Sequence, residues 1–252
     1  MTKSKRSAAK YVYGVVRADD ASWPKLEGIN GEPVSPVTDE GLAALTSDVP
    51  DEFLEAGREE LLTHSRVLEQ VLEKGTVLPM RFGVVLPDEQ SVREELLAPH
   101  SDELEAQLRE MDGKVEINLK VLHDEDTILR EVLEEIPEAA ELRRSIQGKP
   151  EDATYFERIR LGELVAQALG DKREQTAPAI VDRLSPYAVA VQIGDPAHER
   201  MALNASFLVA RKDLKRFDEA VDELGEEQGG RIRLRYTGPL PPHSFVELEM
   251  AA

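Results

Sequence analysis

Hydrophobic residues follow two periods along this chain, and their order predicts a mixed α and β protein. Tyr11–Val16 is a run of strand-forming residues, and Leu42–Val49 is consistent with another strand. Between Arg58 and Lys74, apolar residues recur at helical spacing, and Gly75 ends the pattern. Asp88 is placed to cap a further helix that runs, interrupted at Pro99, to about Met111.

The second half of the chain predicts a strand, helices, two strands, a helix and a last strand. Val115, Ile117, Leu119 and Val121 alternate with polar residues, as in a half-buried strand. Helices are expected from about Glu125 to Leu169, with a break near Gly148 and Pro150. Strands are then expected at 187–194 and 201–211, a helix at 213–224, and a strand carrying Ile232, Leu234 and Tyr236. This order is that of the split βαβ, or ferredoxin-like, arrangement, with helices on one face of an antiparallel sheet.

The predicted organisation is therefore an α+β protein of two domains. Residues 1–112 would form an N-terminal α+β domain that is a looser version of the second, with 1–10 disordered. Residues 113–252 would form the ferredoxin-like domain. In it, "GPLPP" at 238–242 must leave regular structure and serve as a strap that lays Phe245 and Val246 on the body, or as a polyproline ligand.

Val77–Leu86, "VLPMRFGVVL", is a strand pattern that nevertheless contains a proline, an arginine and a glycine. Leu78, Met80, Phe82 and Val84 would pack inward, and Pro79 indicates an edge strand. Arg81 and Gly83 would lie on the outer face. That face would meet either a neighbouring segment of its own domain or a partner, so Arg81, Phe82 and Gly83 are candidate partner-binding residues.

Composition narrows the function. The 252 residues carry a formal net charge of −19, which disfavours nucleic acids and acidic membranes as partners. There is no cysteine, and the N-terminus lacks the apolar core of a secretion signal, so we expect a cytoplasmic location. The acidity indicates either simple solubility or a basic or aggregation-prone partner.

No motif for catalysis, metal binding or cofactor binding stands out. The five histidines have no paired ligand spacing, and His64 on the apolar stripe of its helix is expected to be a hydrogen-bonded core residue. "HDED" at 123–126 is better explained by acids at a helix N-terminus than by a cation site. We therefore predict no cofactor and no enzyme activity.

Arg231, Arg233 and Arg235 form a basic stripe on the last strand. They would either pair with local acids and guard an edge strand, or dock a partner.

Four segments in this order resemble the gas vesicle protein family GvpF/GvpL: "YVYGVV" at 11–16, "VLPMRFGVVL" at 77–86, "NASFLV" at 204–209 and "RYTGPLPPHSFV" at 235–246. Family members often have tyrosine where this chain has His243. The resemblance implies a non-enzymatic accessory protein of gas vesicle assembly that binds the hydrophobic shell protein GvpA and other Gvp proteins. It also implies association with the vesicle, on the gas-facing side of the wall in at least one branch.

Two other functions are consistent with the residues alone. A pair of ferredoxin-like domains can sense a small molecule bound between them, although no glycine-rich ligand loop is evident. An enzyme that uses clustered carboxylates and a metal is the third alternative.

Overall fold

A computed structural model of the chain describes residues 8–20, 25–50 and 57–247. The chain divides into two compact units, Met1–Glu116 with Pro239–Ala252, and Ile117–Gly238. The predicted domain boundary near residue 112 stays a prediction. Of the predicted disordered segment 1–10, residues 1–7 lie outside the described residues, whereas Ala9 and Lys10 belong to a strand.

The first unit contains a five-stranded sheet with its longest strand in the interior. The strands are β1 (Ala9–Arg17), β2 (Ser35–Asp39), β3 (Leu42–Val49), β4 (Leu78–Pro79) and β5 (Val85–Leu86). Their order is β2-β3-β1-β4, with β5 also pairing with β1, and every pairing is antiparallel. Residues 9–16 of β1 are all buried, as expected for a central strand.

Local sequence explains the hairpin between β2 and β3. Glu40 and Gly41 connect the strands, and both have positive φ. This is the backbone conformation of a two-residue hairpin turn, which matches the twist of the flanking strands. The predicted Leu42–Val49 strand is confirmed, whereas the sequence gave no strand signal for β2 because Pro36 lies inside it.

Three helices complete the first unit: α1 (Arg58–Leu72), the short α2 (Glu89–Ser91), which continues as a π-helix over Val92–Leu97, and α3 (Ser101–Glu110). The Asp88 side chain accepts a hydrogen bond from the Ser91 N–H (2.9 Å), so the predicted N-cap is confirmed. Both long helices bury the face that their periodicity predicts.

The prediction of one continuous strand over Val77–Leu86 is wrong. The segment contributes only the two-residue strands β4 and β5, and residues between them form a turn in which Gly83 has a φ of 93°. Met80 N–H donates to the Tyr13 C=O, and Val12 N–H donates to the Val84 C=O, so the backbone stays attached to β1 on both sides of the turn.

The second sheet has the strands β6 (Lys114–His123), β7 (Ala190–Ile193), β8 (Met201–Ala210) and β9 (Ile232–Leu240), in the order β7-β8-β6-β9. At the end of β6, His123 N–H donates to Arg200 C=O and Asp124 N–H donates to Arg231 C=O (both 2.9 Å). The last residues of β6 thus meet the first residues of β8 and β9, and both neighbours run antiparallel to it.

Helices α4 (Glu125–Glu135), α5 (Pro137–Ile146), α6 (Tyr155–Leu184) and α7 (Leu214–Glu227) complete the second unit. Helices α4, α5 and α6 share an apolar cluster, and Phe217 of α7 packs on Phe207 of β8 with ring centroids 5.2 Å apart. The prediction that the helical region ends near Leu169 is wrong, because α6 continues through Pro178. Ile180 and Leu184 beyond the proline are buried, and their burial offsets its cost.

The C-terminal segment leaves the sheet later than its prolines predict. Gly238 and Pro239 still belong to β9, which is an edge strand and so tolerates a proline. Beyond Leu240 the chain packs within the first unit: Pro241 is buried, and both the N–H and the hydroxyl of Ser244 donate to the Glu116 carboxylate (2.8 and 2.7 Å).

Candidate functional site

The second unit has a charged recess where β6 ends and β8 and β9 begin. Its cavity measures about 410 Å³. Four cationic side chains line it, together with an acidic run at the start of α4: Lys120, Arg200, Arg233 and Arg235, and Asp124, Glu125 and Asp126. We call this surface the basic recess.

Arg231, the first residue of the predicted stripe, is committed to an internal ion pair. Its Nε and Nη2 lie 2.7 and 3.0 Å from the two carboxylate oxygens of Glu131 on α4. Lys172 of α6 lies 2.9 Å from the same carboxylate and 2.9 Å from that of Glu135. Burial alone would raise the pKa of Glu131, but the hydrogen bonds from Arg231 and Lys172 outweigh it and lower that pKa.

Arg233 is in an intermediate position. Its Nη2 lies 2.8 Å from Asp124 Oδ2, and this hydrogen bond is the main reason why the pKa of Asp124 is lowered. Asp124 also caps α4 by accepting from the Thr127 N–H (3.2 Å). Since 76% of the Arg233 side chain is exposed, its guanidinium retains donors for another molecule.

Arg235 and Lys120 are the open cations of the recess. Neither has an ion-pair partner within the described ranges, whereas Arg200 pairs with Glu125. In a chain whose net charge is −19, two adjacent strands thus present unpaired positive charge at one place. The recess can bind a carboxylate or another anionic group of a partner.

Sequence reasoning found the arginine stripe but missed Lys120, His198 and Arg200, which also line the recess. Lys120 had a signal, because it falls on the polar side of the alternating β6 pattern. His198 and Arg200 lie in a loop, and only the pairing of β8 with β6 brings them here.

His123 lies at the inner side of the same strand end and is 4% exposed. Neither ring nitrogen has a hydrogen-bond partner among the described residues. Burial, followed by the charge of Arg231, lowers the pKa of His123 and keeps the ring neutral.

The other predicted residues surround a buried hydrogen-bonded cluster in the first unit. The Tyr11 hydroxyl lies 2.8 Å from His64 Nδ1 and accepts from the Gly83 N–H (3.2 Å), while His64 Nε2 lies 3.2 Å from the Met80 carbonyl oxygen. A carbonyl only accepts, so Nε2 carries the proton and Nδ1 accepts from Tyr11. The predicted core histidine is confirmed.

Arg81, Phe82 and Gly83 have three different environments in the turn. Arg81 is exposed and has no ion-pair partner among the described residues. Phe82 is half-buried against the rings of Tyr11 and His64, at centroid distances of 5.9 and 5.8 Å. Gly83 supplies the positive φ that the turn requires. Of these three, Arg81 offers the most accessible side chain to a partner.

Within the described ranges, no group of three or more histidine, aspartate or glutamate side chains is placed to hold a metal ion. Among the same residues, no helix is both long and apolar enough to cross a membrane.

Comparison with known proteins gives consistent results over the whole chain. The profile of the family described as "Gas vesicle synthesis protein GvpL/GvpF" matches residues 9–247. The chain is 38% identical to gas vesicle protein F of Streptomyces sp. (strain CB03234), over 94% of this chain and 99% of that protein. It is 31% identical to gas vesicle protein F of Dolichospermum flosaquae, over 95% and 98% of the two chains.

Solved structures agree. The crystal structure of GvpF from Anabaena sp. PCC7120 superimposes with a TM-score of 0.79 at 27% identity, covering 96% of this chain and all of that one. GvpF from Microcystis aeruginosa gives a TM-score of 0.76 at 28% identity, with the same coverage.

Proposed function

Because this chain belongs to the gas vesicle synthesis protein GvpL/GvpF family, we propose that it is a non-enzymatic accessory protein of gas vesicle assembly that binds the hydrophobic shell protein GvpA. Its support is the family match over residues 9–247 together with relatives that align over nearly their full length. Contacts with other Gvp proteins, and a cytoplasmic location at the vesicle, belong to the same proposal.

The observation that favours partner binding is the pair of open cations in the basic recess. Lys120 and Arg235 are desolvated little and paired with no described acid, so an incoming carboxylate would gain charge-assisted hydrogen bonds without first breaking an ion pair. The acidic remainder of the surface would keep the complex dispersed while an apolar shell subunit is held.

The F branch is the more probable origin of this sequence on identity. Proteins named gas vesicle protein F reach 38% and 31% identity, whereas gas vesicle protein L1 of Halobacterium salinarum is 25% identical. We further infer a ferredoxin-like arrangement for the second unit. It is supported by the order of strands and helices from β6 to β9 and by the antiparallel placement of β8 and β9 beside β6.

The proposal is tested by pull-down of purified GvpA at low and moderate salt. Lys120→Glu with Arg235→Glu is the informative variant, because Arg231 and Arg233 hold Glu131 and Asp124 and their replacement would disturb the fold. We expect the normal chain to retain GvpA and the double variant to retain about tenfold less, the loss of roughly two charge-assisted contacts partly screened by solvent.

Lys212→Glu with Lys215→Glu on the exposed start of α7 is the matched control, since it changes the net charge equally outside the recess. Equal retention by both double variants would remove the recess as the contact. Failure of the normal chain to retain GvpA at either salt concentration would contradict GvpA binding itself.

A further inference from the structure

The edges of the two sheets are not equally protected. An edge strand exposes unpaired backbone N–H and C=O groups, and proteins usually protect such an edge with charge, proline, a covering element or a very short strand. At β2, the Arg93 side chain donates to the Thr38 C=O (3.2 Å). The edge formed by β4 and β5 consists of two-residue strands, and β9 carries Arg233, Arg235 and Pro239. Each of these three edges thus has an identifiable protection.

The fourth edge, β7, has none of these features. Its sequence, Ala190-Val191-Gln192-Ile193, contains no charged residue and no proline, and it pairs with β8 in an uninterrupted register. In the part of the chain that the structure describes, no strand pairs with its other side. An extended backbone is therefore open along this edge.

The register shows which backbone groups face outward. Gly194 N–H donates to the Asn204 C=O (2.8 Å), so the ladder bonds fall on the even-numbered residues of β7. The N–H and C=O groups of Val191 and Ile193 consequently point away from β8. They are spaced as a further antiparallel or parallel strand requires.

The side chains beside this edge are apolar and uncovered. Val189 is 58% exposed and Ile193 is 66% exposed. Val191 lies opposite Phe207 and Ile193 lies opposite Ala205, and both β8 residues are buried in the core. The apolar face of the sheet therefore continues past its last strand, where an added strand would cover it.

We propose that the outer edge of β7 is a docking site for an extended segment of another protein, which joins the sheet as a fifth strand. The segment has apolar residues at alternate positions, which extend the row of Val189, Val191 and Ile193, and basic or neutral residues between them. Main-chain hydrogen bonds supply affinity in this mode, and the alternate side chains supply specificity.

Charge selects this occupant over a second copy of the chain. Two copies would each bring a net charge of −19 to the interface, and the exposed Asp195 follows β7 directly. A strand bearing lysine or arginine is attracted to the same place. The site shares no residue with the basic recess, and the inference does not depend on the identity of the shell protein.

The probe is a fluorescent eight-residue peptide in which valine alternates with lysine and threonine, titrated with the full chain by anisotropy. A second peptide of identical sequence carries N-methyl groups on alternate residues, so that one edge loses its N–H donors while the side chains remain. A third has the same composition without alternation. We expect the first to bind and the other two to bind at least about tenfold more weakly, since two or more backbone hydrogen bonds are lost.

Two variants separate backbone from side chain. Ile193→Pro removes an outward N–H and leaves the β8 ladder intact, so it should weaken binding about tenfold. Ile193→Ala removes only the exposed side chain and should cause a smaller loss. Phe156→Ala, at a residue that is also exposed and apolar, should change nothing. Thermal unfolding of each variant shows whether it is folded.

The inference is overturned if the peptide does not bind, if the N-methylated peptide binds equally well, or if folded Ile193→Pro binds normally. It is also overturned if sedimentation shows a dimer of the chain that Ile193→Pro dissociates, because a second copy would then occupy the edge.

Discussion

At the scale of single residues, the most constrained group is His64. Its 4% exposure and its place on the apolar stripe of α1 agree with the sequence prediction of a core histidine. Its partners were not predictable, because Tyr11 lies 53 positions earlier and Met80 lies in the turn after the helix. The ring thus joins β1, α1 and the 80–83 turn, and it does so only in the neutral form.

This network predicts a stability loss in mild acid. Burial lowers the pKa of His64 to about 4, the nearby His243 adds to the effect, and the hydrogen bond to the Met80 carbonyl opposes it. The unfolded chain, with a histidine pKa near 6.5, therefore binds the proton first as the pH falls. Stability from this group is full above pH 6.5, declines between about 6.5 and 4, and is lost below that, by about 3 kcal/mol in total.

The measurement is urea unfolding of the normal chain and of His64→Gln at several pH values in that window. Glutamine can accept and donate as the neutral ring does but does not titrate, so the variant isolates His64 from the many carboxylates. We expect a shallower decline for His64→Gln. Parallel pH profiles would contradict the assigned role.

At the scale of elements, the segment 77–86 shows how tertiary contacts override a strand pattern. Its alternation is correct for Leu78 and Met80, which are buried, but Phe82 and Val84 are only half-buried because the backbone turns at Gly83. The Tyr11 hydroxyl holds that turn by accepting the Gly83 N–H. Proline, arginine and glycine in this segment thus serve an edge strand, an exposed side chain and a turn, respectively.

The close approach of β4 to β1 gives a prediction about glycine. A Cβ added at Gly14 would lie 2.6 Å from the Leu78 carbonyl oxygen, which is backbone and cannot move aside easily. Gly14→Ala should therefore destabilise the chain by about 2 kcal/mol or more.

Gly162→Ala is the matched comparison, because it lies inside α6 and an added Cβ meets nothing within 4 Å. That variant should be more stable by up to about 1 kcal/mol, since alanine has the higher helix propensity. Both values come from chemical denaturation. A neutral Gly14→Ala would show that the two strands separate readily.

At the scale of the whole molecule, net charge dominates. The chain has 50 acidic and 31 basic residues, giving −19, so its ion pairs leave many carboxylates without a cation. The surface pairs contribute little individually. The excess negative charge repels itself in the compact state, while it also keeps the protein dispersed.

Sodium chloride should consequently raise the unfolding temperature. Screening weakens the general repulsion over about 10 Å at 0.1 M ionic strength, and this outweighs the weakening of exposed ion pairs. The control is Lys212→Glu with Lys215→Glu; since each change subtracts two charges, it moves the net charge from −19 to −23 and should show a steeper salt dependence. Calorimetry at several salt concentrations decides, and a fall in the unfolding temperature with salt would contradict the argument.

The sequence by itself determined the mixed class, most strands and helices, the N-cap at Asp88, the core histidine and the family. These features depend on local periodicity and on short motifs, which are visible in consecutive residues. It did not determine β2, the turn at Gly83, the passage of α6 through Pro178 or the length of β9. In each of these, pairing or burial outweighs a local signal.

Only the tertiary structure separated the three stripe arginines. They alternate identically in the sequence, yet Arg231 is paired with Glu131, Arg233 with Asp124, and Arg235 with no described acid. The difference comes from which helix lies beside each strand position. Long-range pairing likewise brought Lys120 and Arg200 to Arg235 and left β7 with an open edge, because strand order is set by contacts that no local pattern records.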